Sequence, residues 1–299
     1  MQTEAKAHIF ILGANIIYGL NYVIAKVALN VIPAFPLVLT RVAIPLLFYA
    51  VFALVFQREK VDRKDHWAFF YCGFLGVAAN QMMFISGLDR TSEIHASLIM
   101  ITTPILVLLI ASIVLKERLT WRKIAGVLIG AAGVYLLIQS SEKSGASTAT
   151  VAGDLLIMGN AMSYAFFLVL AKPLMRKYNP YTAAFWFFLY GLVFVAPFGV
   201  AQLDQIPPEA FSGNVLLSWL YVVFISTLLV YILNILGLKF GSPSLVSIYI
   251  YTQPLLAALI AVLLGKDTFT AAMAAAALFI FTGVAMVSFS QKKRKQRIA

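Results

Sequence analysis

Two stretches decide the reading: TPILVLLIASIVLKE at residues 103–117 and QPLLAALIAVLLGKD at residues 253–267. They align at an offset of 150 residues, with Pro104 on Pro254, Lys116 on Lys266 and Glu117 on Asp267. The agreement continues outward. Gly87–Leu88 falls on Gly237–Leu238, Ser92 on Ser242, Ser97 on Ser247 and Gly133–Val134 on Gly283–Val284. Toward the amino end the offset shrinks to 146 or 147, placing Tyr18 on Tyr164, Lys26 on Lys172 and Pro33 on Pro180. Chance could pair apolar letters between any two oily helices. It does not bring Pro, Lys, Gly and an acid into one register.

The solvent of this chain is lipid. Its 299 residues are 62% hydrophobic and 12% charged, and the mean hydropathy is +0.90. That charge share is about half the usual value for a soluble domain and cannot cover so much apolar surface. A span needs about 20 apolar residues. Ten such runs are present: 8–30, 36–56, 67–88, 93–115, 121–139, 152–174, 181–202, 215–238, 244–264 and 269–290. They are continuous rather than alternating, so they predict helices and not barrel strands. The first run is long enough to span and to be retained, and nothing at the start resembles a cleavable signal. The single cysteine, Cys72, allows no internal disulfide.

The longest polar connection, SSEKSGASTAT at 140–150, separates two sets of five runs. The expected fold is an all-α polytopic membrane protein of ten transmembrane helices, built as two inverted five-helix repeats. The first repeat covers 1–139, the loop 140–150, the second repeat 151–291 and a basic tail 292–299. An odd number of spans per repeat forces the second copy to insert upside down.

Charge gives the orientation. Of the 23 Lys and Arg residues, 17 fall on the side that carries both termini and three (Arg90, Lys143, Lys266) on the other. The positive-inside rule then makes both termini cytoplasmic. The net charge of +11 belongs to these loops and to the tail KKRKQR. A contact with anionic lipids is expected there, and no nucleic acid.

Ten spans as five plus five, a Pro near the start of spans four and nine with an acid at their ends, and the Gly…Gly-Val pattern of spans five and ten together resemble the EamA family of the drug/metabolite transporter superfamily. The resemblance covers nearly the whole chain. It implies transport of small metabolites, amino acids among them. It is similar at a distance to the four-helix small multidrug exporters, which carry a membrane-embedded glutamate in their first span.

Inverted repeats place a substrate site near the midplane between the halves. Span one offers Asn15, Tyr18, Tyr22 and Lys26 on one helical face. Span six offers Asn160, Tyr164 and Phe167, and span eight Thr227, Tyr231 and Asn234. Asn80, Gln81 and Phe84 come from span three, Ser97 from span four, and Ser247 and Tyr251 from span nine. Together they predict a cavity walled by spans one, three, four, six, eight and nine. The competing reading makes these groups interhelical hydrogen-bond glue or interface anchors. Lys26 and Arg41 form either a cationic patch for an anionic group or a pair of snorkelling side chains. Lys172 reads as snorkelling or as a helix-end contact. Pro104 and Pro254 read as hinges, with Pro33 and Pro180 at bends or helix ends.

All 12 acids sit at or beyond span ends, and the first-span region where the small multidrug exporters carry glutamate holds Asn15 and Tyr18. That argues against carboxylate proton coupling and against a polycation site. The three histidines, His8, His66 and His95, show no metal-ligand spacing, so no metal, no cofactor and no intramembrane enzyme is expected. A channel would need repeated carbonyls or charged rings. The expectation is a secondary transporter in a bacterial cytoplasmic membrane that exports an amino acid or similar metabolite by alternating access. The alternatives are a multidrug or cationic efflux carrier and a carrier of nucleosides, purines or weak acids. Gly126, Gly130 and Gly133 suit close packing within a protomer or a dimer seam, leaving monomer or homodimer open.

Overall fold

The computed structural model describes residues 2–91, 96, 99–141, 150–263 and 270–295. Among these residues every regular element is helical. In chain order the helices are α1 (Gln2–Leu29), α2 (Ala34–Gln57), α3 (Arg63–Arg90), α4 (Thr102–Val114), α5 (Trp121–Ser141), α6 (Val151–Lys177), α7 (Pro180–Val200) and α8 (Gly213–Phe240). Then follow α9 (Pro243–Ile248), a tight turn at Tyr249–Tyr251, α10 (Thr252–Leu263) and α11 (Ala271–Lys295). Among the described residues, six segments are long and apolar enough to cross a membrane: Ala5–Leu29, Ala34–Gln57, Arg63–Arg90, Val151–Lys177, Pro180–Val200 and Gly213–Phe240. Thr102–Val114 and Met273–Phe289 are shorter apolar helices.

Turn chemistry sets the boundaries. Asn179 caps α7 by accepting the Tyr181 N–H at 3.0 Å, and Pro180 begins the helix where its missing N–H costs nothing. Thr150 and Ser242 cap α6 and α9 in the same way. Pro33 stands just before α2. Lys116 ends α4 in the left-handed region, at φ +49°, which turns the Glu117 N–H back onto the Ala111 carbonyl. Glu117 is buried. Its carboxylate meets Lys123 Nζ at 2.5 Å and accepts from Ser244 Oγ at 2.9 Å. The acid of the first repeated phrase therefore clasps α4, α5 and α9 together. Lys266 and Asp267, its counterparts in the second phrase, lie outside the described residues.

The bundle is held by pairs: α1 lies on α8 and α10, α6 on α3 and α4, α2 on α7, and α5 on α11. Exchanging the helices by the 146–150 register maps the contacts of α1 onto those of α6 and the α2–α7 and α5–α11 pairings onto themselves. Two local distortions obey the same register. Wide π-helical turns occupy Phe74–Ala79 in α3 and Tyr221–Leu229 in α8. Thr102 Oγ1 donates to the Ile99 carbonyl at 2.7 Å, and Thr252 Oγ1 to the Tyr249 carbonyl at 2.6 Å. Pro104 and Pro254 each follow two residues after those threonines, so both stand at the start of a renewed helix.

The glycine stripe is used inside the chain. A Cβ on Gly126 would stand 2.8 Å from the Gly283 carbonyl oxygen, and one on Gly133 2.8 Å from Phe279 Cβ. The outward faces carry apolar side chains instead. On α1, Ile9, Ile16 and Val23 are exposed at sevenfold spacing while Ile11, Ala14 and Ala25 are buried. That is the expected pattern for a helix with lipid on one side.

Candidate functional site

The polar residues of the helix interiors converge on one central cavity. It holds about 690 Å³ of space not filled by atoms, part of it continuous with solvent. Asn15, Tyr18, Asn21 and Tyr22 line it from α1, Arg41 from α2, and Asn80, Gln81 and Phe84 from α3. Met100 precedes α4, Asn160 and Tyr164 come from α6, and Ser226, Tyr231 and Asn234 from α8. Val246, Ile250 and Gln253 complete the wall. Among the described residues, no carboxylate lines it.

Part of this wall is knitted together. Gln253 Nε2 donates to Asn15 Oδ1 at 2.7 Å, Asn15 Nδ2 to the Ile11 carbonyl at 2.8 Å, and Ser226 Oγ to Asn21 Oδ1 at 2.6 Å. Another part is open. Among the described residues, the buried side-chain atoms without a protein partner are Arg41 Nη1, both amide atoms of Gln81, Asn160 Oδ1 and Thr182 Oγ1. All but Thr182 line the cavity. Buried polar groups are ordinarily satisfied, so such a cluster marks a surface that faces a guest or water.

Arg41 is only 5% exposed and is held from one side, where Nε donates to Thr227 Oγ1 at 3.0 Å. Thr227 in turn donates to the Val222 carbonyl at 2.7 Å, five residues back. The wide turn of α8 makes that arrangement possible. It rotates Thr227 out of the cavity wall toward Arg41 and brings Ser226 in.

Several residues read from the sequence lie elsewhere. Phe167 packs under Tyr231 and Phe187 and over Gly76, where a Cβ would come within 2.2 Å of the ring. Ser247 is buried and donates to the Ser244 carbonyl at 3.3 Å. Tyr251 turns away, donating to the Ile101 carbonyl at 3.0 Å and lying against Gly130. The face that lines the cavity here carries Val246, Ile250 and Gln253, spaced four and three and lying one residue off the face of Ser247 and Tyr251. Ser97 lies outside the described residues.

Lys26 requires a correction. It does not line the cavity. Its ammonium donates to the Leu88 carbonyl at 2.6 Å and the Thr91 carbonyl at 3.1 Å, capping the end of α3. Lys172 does the same for α8, donating to Leu238 at 2.6 Å, Lys239 at 3.2 Å and Gly241 at 2.5 Å. Leu88 and Leu238 are register partners, as are Thr91 and Gly241. A cation on terminal carbonyls satisfies acceptors that a helix leaves open and complements its dipole. The two capped ends lie far apart. A Cβ on Gly237 would meet Ile11 at 2.5 Å, near the start of α1, whereas Lys26 reaches α3 from the end of α1. Fifteen helical residues between Ile11 and Lys26 span about 22 Å, so α3 and α8 run in opposite directions. Lys26→Met and Lys172→Met are expected to destabilise by similar amounts, about 1–3 kcal/mol each, read as lowered resistance to SDS unfolding. A neutral Lys26→Met would return Lys26 to the candidate substrate ligands.

An all-helical bundle with lipid-type outer faces and a polar cavity reached by most of its helices defines a membrane transporter in outline. The comparisons agree. The EamA-like transporter family matches residues 5–139 and 151–289, and the chain belongs to that family. It is 27% identical to a WAT1-related protein of Arabidopsis thaliana, over 99% of this chain and 88% of that one. It is 24% identical to an uncharacterized transporter of Archaeoglobus fulgidus, over 86% of this chain and 89% of that one. A crystal structure with 20% identity superposes at a TM-score of 0.76 over 97% of this chain and 98% of that chain, a likeness of fold. The protein is an integral membrane transporter and not an enzyme.

Proposed function

We propose that the chain is a secondary carrier of small metabolites, an amino acid or a similar compound, working by alternating access in a bacterial cytoplasmic membrane. Export is the direction we assign. The observation that carries the reading is the central cavity, built from both halves and lined by aromatic rings, amides and Arg41, with no acid among the described residues. Such a lining suits a guest with an apolar body and a few polar groups. It disfavours the cationic-drug alternative, which needs a carboxylate or an equivalent counter-charge.

Ten spans as two inverted repeats supply the mechanism. Support comes from α3 and α8, which are register partners, run in opposite directions, carry matching π-helical turns and end on matching lysine caps. Two similar walls facing opposite ways can exchange conformations, and the exchange moves the opening from one side to the other. Both termini are then cytoplasmic. The basic tail meets anionic lipid, although residues 296–299 lie outside the described part. The unit is a monomer or homodimer, and the glycine stripe of α5 needs no second copy to be covered.

Counterflow in proteoliposomes tests the carrier. Saturable exchange of labelled amino acid is expected, and a non-saturating flux would make the protein a channel. Pro104→Ala and Pro254→Ala restore a backbone N–H at the two helix restarts. Each is expected to slow exchange several-fold while leaving substrate affinity within about twofold. Wild-type turnover in both would remove the hinges from the mechanism.

A further inference from the structure

We infer that Arg41, braced by Thr227, is an anion-binding subsite that takes the carboxylate of the transported molecule, and that the guest needs no ammonium group to bind. The inference rests on the carrier reading above and narrows its substrate class to carboxylates on an apolar, planar body.

Arg41 is 5% exposed, and its guanidinium is permanently charged. Its partner, Thr227 Oγ1, is neutral and is anchored in turn on the Val222 carbonyl. Among the described residues, Nη1 has no hydrogen-bond partner and no acid lines the cavity. A buried cation without a counter-charge is costly, and removing the anion from a buried pair leaves that cost in place. A guest carboxylate supplies the missing charge and matches the planar fork of the guanidinium. Lysine would not hold it in the same way.

The neighbouring open atoms fit the same guest. Both ends of the Gln81 amide lack partners, so either amide orientation offers a donor and an acceptor. Tyr18, Tyr22 and Phe84 supply ring faces and edges for a planar body. For an ammonium the described residues of the wall offer neutral acceptors, beside a fixed positive charge. The charge balance therefore favours acids over amines of the same shape.

The test uses the purified full chain in lipid nanodiscs and three molecules of one skeleton: L-phenylalanine, 3-phenylpropionate and phenethylamine. Saturable thermal stabilisation is expected from the first two and none from the amine. Arg41→Gln should weaken both acids by about thirtyfold or more, as for truncation of one partner of a buried charge pair. Thr227→Val keeps the charge but loosens its support, and should weaken both acids by a smaller factor without changing the order of the three ligands. It stands in if Arg41→Gln does not fold. Binding of phenethylamine as tight as that of 3-phenylpropionate would overturn the subsite, as would undiminished acid binding by Arg41→Gln or no binding by either acid. Counterflow separates the two readings: exchange of amines alone would keep the carrier and remove the carboxylate subsite, while absence of any exchange would remove the carrier.

Discussion

Glu117→Ala is expected to destabilise the protein by about 3–5 kcal/mol, because it strands the buried Lys123 ammonium. Glu117 and Lys123 are 8% and 5% exposed and meet at 2.5 Å. The carboxylate also accepts from Ser244 Oγ, so its removal orphans a hydroxyl of α9 as well. The test is a cycle of unfolding measurements in SDS mixed micelles on Glu117→Ala, Lys123→Met and the double variant. Each single variant leaves one charge without its partner. The double variant leaves none, so it should recover most of the loss and show a strong coupling between the two sites. A cost below about 1 kcal/mol for Glu117→Ala is the value for an exposed pair, and it would mean that water reaches this clasp.

That residue also shows how far the sequence could be read. The repeated phrase placed an acid after a lysine at the end of α4, but the reason lies in three dimensions. Lys116 turns the chain left-handed, and only then does Glu117 point into α5 and α9. Transporter class and helical build were legible because lipid leaves few choices to an apolar backbone. The cavity was legible in part because an amide inside an apolar run has few other uses. Asn15, Tyr18, Tyr22, Asn80, Gln81, Phe84, Asn160, Tyr164, Tyr231 and Asn234 reach it together.

The misplaced residues have separate causes. Thr227 was placed by a constant 3.6-residue period, which the π-helical turn in α8 breaks, whereas Ser247 and Tyr251 lie one residue off the regular face of Val246, Ile250 and Gln253 that lines the cavity. Lys26 was credited to the cavity because sequence gives the depth of a lysine but not which carbonyls its long stem reaches. Arg41 was left between two readings because α2 has no polar stripe to give it company. Val246 and Ile250 carry no sequence signal that separates a cavity wall from ordinary core, and Gln253 was read only as part of the repeated phrase.

Gly283→Ala is expected to destabilise by about 3 kcal/mol or more, at or above the top of the range for overpacking. The added Cβ would stand 2.5 Å from the Gly126 carbonyl oxygen, 3.0 Å from Gly130 N and 3.1 Å from Gly130 Cα. These are backbone atoms, so no rotamer change relieves the contact, and α5 and α11 must separate. The same substitution elsewhere should have the opposite sign. Gly13 is also inside a helix, but a Cβ there meets only Leu233 Cδ1, at the ordinary contact distance of 3.8 Å. Gly13→Ala removes backbone freedom without a clash and is expected to stabilise by about 0.5–1 kcal/mol. Both changes add one methyl group to a glycine in an apolar helix, so a shared effect of composition or insertion would move them together. Opposite shifts in SDS resistance would show that the close approach of α5 and α11 sets the cost. A neutral Gly283→Ala would mean that this glycine contact does not hold α11 in place.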